Sequence, residues 1–270
     1  MRNKKGVILW LLIVAVLFAA SLMCGSPAGE TESVQTAMRD AVLHDINRIS
    51  LFGIKDVNPG LISAFCVTGI LLIAALILRI TVIPGFTYVP GKAQLLMETL
   101  VGMFDGMAKE NSPHRNKGLG LYIFTAGVYI FCSTIFELFG FQAVTTEGTS
   151  IALPAPLSDV NAAIALGCLS YLFIISGGVM QNGITGVGRA LKEFSLPISM
   201  SFRLFGALLS GLLVTELVYY YITLSFVLPV IIGVLFTLLH ALIQSYVLTM
   251  LTALYYGEVS EPKSDKNRIK

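Results

Sequence analysis

Charge is scarce in this chain. Only 13% of its 270 residues are Asp, Glu, Lys or Arg, against about 25% in a soluble domain, and the mean hydropathy is +0.80. The solvent for most of it is lipid. The net charge of +2 sits in short clusters and implies no nucleic-acid partner. Cys24, Cys66, Cys132 and Cys168 stand far apart with no CxxC pair, which removes metal and redox readings and leaves small buried hydrophobes as the expectation. No HExxH and no GxSxG is present. The nearest approach to a phosphate loop runs from Gly85 to Gly91 and Lys92, but five residues intervene where four are needed, and Ala93 stands where Ser or Thr binds magnesium. Gly183, Gly186 and Gly188 follow an apolar helix rather than a strand, so they read as a flexible turn instead of a dinucleotide site. Neither a cofactor nor a metal is expected.

What the sequence does have is length of apolar run. About 20 apolar residues in a helix cross a bilayer, and six stretches qualify, near 7–23, 61–83, 120–141, 160–180, 198–227 and 228–256. The first follows Arg2, Lys4 and Lys5 and ends in small residues, the pattern of a signal peptide or a retained signal-anchor over 1–24. Both place an N-terminal segment, 25–60, outside. Parity then sets the 84–119 and 181–196 loops and the C-terminal tail, 258–270, in the cytoplasm. The basic residues agree: Lys92, Lys109, Arg115 and Lys117, then Arg189 and Lys192, then Lys263, Lys266, Arg268 and Lys270 lie on that side, while the 142–157 loop has none. The expectation is an all-α integral membrane protein with five core transmembrane helices. Leu96, Leu100, Phe104 and Met107 recur at helical spacing in the first cytoplasmic loop and predict an amphipathic helix at the membrane surface.

The residue that carries information is Arg203, about two turns inside the fifth stretch. An arginine at mid-bilayer costs about 2.5–3.5 kcal/mol on insertion scales, so it faces a water-filled cavity or a partner's anion, or else snorkels to the interface. At 100° per residue Ser199, Ala207, Ser210 and Gly211 share its side of the helix. A stripe of small residues means close contact with another helix; headed by a charge, it also suits a surface past which another helix slides. Glu216 falls near the opposite side. In the sixth stretch Thr237, His240 and Gln244 share one face at i, i+3 and i+7, and buried structural hydrogen bonding explains each of them as well.

These residues bring a family into view. PISMSFRLFG around Arg203 resembles the PxSLxxRLFG signature of the F-type ATP synthase a subunit, and IQSYVLTMLTALYY (243–256) resembles that family's last-helix motif. PLSDVNAAIALG (156–167) resembles its P(T/S)xDxNxTxALA entry into the fourth helix, and VPGKAQLLMETL (89–100) its VPxxxQxxxE start of a surface helix. The four motifs stand in family order within a membrane domain of 61–257. The resemblance implies a stator subunit in a bacterial plasma membrane, with a long tilted hairpin of its last two helices against a ring of c subunits. Its other partners would be a b-subunit peripheral stalk and the remaining subunits of the complex. Two half-channels would lead H+ or Na+ to the ring, and Arg203 would take the place of the essential coupling arginine. Gln244, Ser199, Asp159 and Asn161 match supporting family positions. The chain alone would hold no catalytic nucleotide site.

The sequence also departs from the pattern. Ala207 replaces the usual Asn after RLFG, and the family's half-channel pair of acid and histidine falls at Leu212 and Thr237. Glu216 and His240 each stand one turn further along antiparallel helices, and so line the water paths separately; Glu137 is a weaker candidate for the same role. A second reading is a stand-alone secondary transporter with Arg203 binding an anionic substrate. Such folds show internal repeats and broken helices at the site, and neither is visible in the sequence. A scaffold without transport gives the arginine no purpose.

Overall fold

The computed structural model describes Val16 and residues 49–51, 54–114, 116–144, 150–220 and 228–262. Apart from Val16, the expected signal or anchor stretch, most of the 25–60 segment and residues 263–270 of the tail lie outside the described residues. A short hairpin, β1 (Ile49–Leu51) with β2 (Ile54–Val57), leads into α1 (Pro59–Ile77). Asn58 caps α1 by accepting from the Gly60 N–H at 2.8 Å, and Pro59 occupies a first-turn position where its missing N–H costs nothing. The helix widens into a π turn at Leu78–Val82 and tightens to a 3-10 turn at Ile83–Gly85. Pro84 cannot donate to a continuing ladder.

Helix α2 (Lys92–Asn111) covers the segment expected to lie at the membrane surface. Gln94, buried at its start, accepts from the Thr87 N–H at 3.0 Å and donates to the Thr87 carbonyl at 2.9 Å and to Glu98 at 2.7 Å. One amide thus ties down the turn before the helix and explains the Gln and Glu of the VPxxxQxxxE pattern. Leu96 and Leu100 are exposed, whereas Phe104 and Ala108 are buried. The second half of α2 packs on the bundle, so the face expected from Leu96 to Met107 is divided between an exposed part and a packed part.

Helix α3 (Lys117–Phe136) runs into a 3-10 turn (Glu137–Phe139) and stops at Gly140, whose φ of 59° suits glycine. A second hairpin follows, β3 (Gln142–Val144) with β4 (Ser150–Ala152), then a 3-10 turn at Pro156–Ser158. These strands modify the all-α expectation at one end only. Helix α4 (Val160–Asn182) ends at Gly183, φ 58°. The 181–196 loop is not a flexible turn: it folds as α5 (Ile184–Lys192). A side chain on Gly186 would strike the Gly178 carbonyl, so these two glycines let α5 press on α4. Helices α6 (Ser195–Tyr220) and α7 (Leu228–Ser260) complete the chain. At 1.5 Å per residue, α7 is about 50 Å long.

Among the described residues four helical segments are long and apolar enough to cross a membrane, and α5 with the first part of α6, bent by 49°, makes a fifth if counted as one span. Helix α3 lies against α1, α2 and α7, and α4 against α5, α6 and α7. Phe104, Ile123, Tyr171, Met200 and Tyr256 form a core at the end where α7 finishes, called basal below; Ile130, Ala163, Leu204, Leu208 and Leu248 form the middle; Ile49, Val67, Phe136 and Leu153 close the hairpin end. Many leucines remain outside the bundle, as lipid tails permit. Cys66 and Cys168 are exposed and Cys132 half-buried, a correction to the expected buried thiols with the same cause.

Candidate functional site

Arg203 lies about 12 Å along α6 from Ser195. The buried side of α6, with Leu196, Met200, Leu204 and Leu208, packs mainly on α4, where a side chain on Gly167 would collide with Ser201. The other side is exposed and carries Ser199, Arg203, Gly206 and Ser210. Ser210 satisfies its hydroxyl on the Ala207 carbonyl at 2.8 Å, so the stripe is small and internally satisfied. Among the described residues no carboxylate pairs with Arg203; the ion pair found there is Lys109 with Asp105 at 2.6 Å on α2. A charge in an apolar helix is expected to face water or an opposite charge.

Helix α7 lies beside α6. Leu248 shares a buried cluster with Leu204 and Leu208, so the two helices meet next to Arg203. Gln244, one turn before Leu248 on the same side, is buried. Ser245 donates to the Gly127 carbonyl at 2.8 Å and thereby fixes α7 to α3. The outer side of α7 is apolar and exposed at Leu235, Leu239, Leu242, Ile243 and Tyr246.

His240 is half-buried, with Nδ1 2.8 Å from the Phe236 carbonyl. A carbonyl only accepts, so Nδ1 carries the proton in this contact and Nε2 is left as the ring's other polar atom. Glu216 is about 20 Å of helix rise from Arg203, and its side chain lies outside the described residues. Ser199 and Arg203 thus lie on the exposed side of α6, Gln244 on the buried side of α7 one turn before Leu248, and His240 one turn before Gln244.

Asp159 and Asn161 sit at the hairpin end. Asp159 accepts from the Asn161 N–H at 2.9 Å to cap α4, and from Asn58 Nδ2 at 2.9 Å to tie α4 to the cap of α1. The Asn58 partner was not legible from spacing, being 101 residues away. An apolar cavity of about 590 Å³ between α1, α2 and α3 lies apart from this site; its carboxylates, Glu98 and Asp105, are engaged by Gln94 and Lys109.

The fold and its apolar helices define a multi-pass α-helical membrane protein. The sequence profile of the ATP synthase A chain family matches residues 61–257. The chain belongs to that family, and is thus a membrane subunit of ATP synthase rather than a nucleotide-handling chain. Over 179 residues it is 26% identical to ATP synthase subunit a of Cereibacter sphaeroides, covering 62% of this chain and 69% of that one. It is likewise 26% identical over 184 residues to ATP synthase subunit a, sodium ion specific, of Propionigenium modestum, covering 62% and 63%. Over 121 residues it is 33% identical to the chloroplastic ATP synthase subunit a of Bigelowiella natans, covering 40% and 48%.

Proposed function

We propose that this chain couples H+ or Na+ flow to rotation of a c-subunit ring, with Arg203 as the coupling residue. The observation that carries the reading is an exposed guanidinium heading a stripe of small residues on α6, with no described carboxylate beside it. A ring carboxylate crosses lipid only when neutralised by an ion, and must release that ion to meet the arginine. Arg203 thus discharges the site into one half-channel and bars a direct leak between the two. Ions pass only if the ring turns. Gln244 and Ser199 flank the arginine, while Glu216 and His240 line separate water paths. The b-subunit stalk and the other subunits of the complex hold the chain still, in a bacterial plasma membrane with its N-terminal segment outside and the basal end cytoplasmic.

The test is ion-gradient-driven ATP synthesis in vesicles containing the assembled complex, comparing wild type with Arg203→Ala under a proton gradient and under a sodium gradient. Loss of synthesis with assembly intact supports the reading, and the gradient that works names the ion. Undiminished synthesis refutes it. The water-path roles fail separately if Glu216→Gln and His240→Ala both leave synthesis intact.

A further inference from the structure

The C-terminal end of α7 sits in a socket made by other parts of the chain. Asn182, the last residue of α4, donates Nδ2 to the Val259 carbonyl at 3.2 Å and to the Glu261 carbonyl at 2.9 Å. Arg189 of α5 donates Nη1 to the Glu261 carbonyl at 2.6 Å. His114, between α2 and α3, holds Nε2 3.0 Å from the Ser260 hydroxyl. Backbones approach as closely: a side chain on Gly257 would strike the Asn111 carbonyl, and one on Gly178 would strike Val259. The last carbonyls of a helix find no partner within it, and a cation beside them also complements the helix dipole.

A local cap would satisfy those carbonyls equally well. Partners 72 to 79 residues distant in sequence do something a local cap cannot, which is to fix the height and rotation of α7 against α4 and α5. Only Glu193 and Phe194 separate α5 from α6. The short helix that sets where α6 begins therefore also grips the end of α7. Both helices are stiff, and a shift at Ser260 is carried to Gln244, about 24 Å back along α7.

We propose that Asn182 and Arg189 are positioning residues for ion translocation, holding the register of α7, and with it the heights of Gln244 and His240, against α6 and its Arg203. This rests on the coupling role of Arg203 given above. The experiment is ATP synthesis per assembled complex in vesicles, measured against the concentration of the driving ion. Asn182→Asp is isosteric but turns a donor into an anion facing two carbonyls; Arg189→Gln removes the cation. Weakened assembly alone lowers the amount of complex without moving the half-maximal ion concentration. Displacement of α7 moves it, by about threefold or more, and Arg189→Lys, which keeps a donor and a cation, restores most of the shift. An unshifted profile in both Asn182→Asp and Arg189→Gln overturns the proposal. If Asn182→Asp does not assemble, Asn182→Ser, which keeps one donor, is read the same way: a shift supports the socket and no shift overturns it. Arg203→Ala run in parallel separates the failures, since synthesis retained there sinks the coupling reading itself, whereas synthesis lost there with unshifted socket variants sinks the socket alone.

Discussion

Asp159 allows an anchoring role to be separated from an ion-conducting one. Its two carboxylate oxygens have one partner each, the Asn161 N–H and the Asn58 amide, both at 2.9 Å. Asp159→Ala deletes a helix N-cap, worth about 1 kcal/mol, and a hydrogen bond to a charged acceptor, worth about 1.5 kcal/mol before solvent screening at this half-buried position. The expected loss is about 2 kcal/mol. Asp159→Asn still caps α4, because Asn is as good a cap as Asp. Its new amide meets the Asn58 amide donor to donor, however, so about half the loss remains. The assay is thermal dissociation of this chain from the detergent-solubilised complex, followed beside ion-driven synthesis. Melting should fall in the order wild type, Asn, Ala, with synthesis per assembled complex close to wild type in the Asn variant. An Ala variant that melts with the wild type refutes the anchoring account. An Asn variant that assembles stably but conducts no ions shows that Asp159 belongs to the ion path instead.

Further outcomes follow from other contacts. Gly186→Ala drives a methyl into the Gly178 carbonyl and should cost about 2–3 kcal/mol, seen as a sharp drop in assembled complex. Gln94→Ala leaves both backbone groups of Thr87 without their side-chain partner and should cost about 1–2 kcal/mol, read as faster hydrogen exchange over residues 86–91. Ser245→Ala removes the bond to the Gly127 carbonyl and should cost only about 0.6 kcal/mol, a change in melting too small to affect assembly.

The apolar spans were legible because hydrocarbon thickness imposes their length, and Arg203 was legible because a charge in such a span contradicts its surroundings. Short-range rules went less far. Each of β1 to β4 has only three or four residues, too few to leave an alternating pattern. Helix α5 was hidden by Gly186 and Gly188, which read as turn formers; Gly186 is there for contact with Gly178. The exposed and packed parts of α2 could not be separated because lipid and protein core accept the same side chains, so periodicity cannot tell Leu100 from Phe104. The socket around Val259 and Glu261 had no signal at all, since Asn182, Arg189 and His114 become neighbours of α7 only through the tertiary fold.

The sparse packing of α1 bears on how the molecule comes together during synthesis. Its buried residues are Pro59, Gly60, Ser63 and Val67, and from Thr68 to Ala93 none is buried. Most of its length is therefore held by partition into the bilayer, with little grip from its own chain. The clasp that orients it, Asn58 on Asp159, waits for a residue 101 positions later. Helix α1 is made before α3 and α4, so the Asn58–Asp159 clasp can close only once α4 has been synthesised, whereas its contact with α3 needs no such wait.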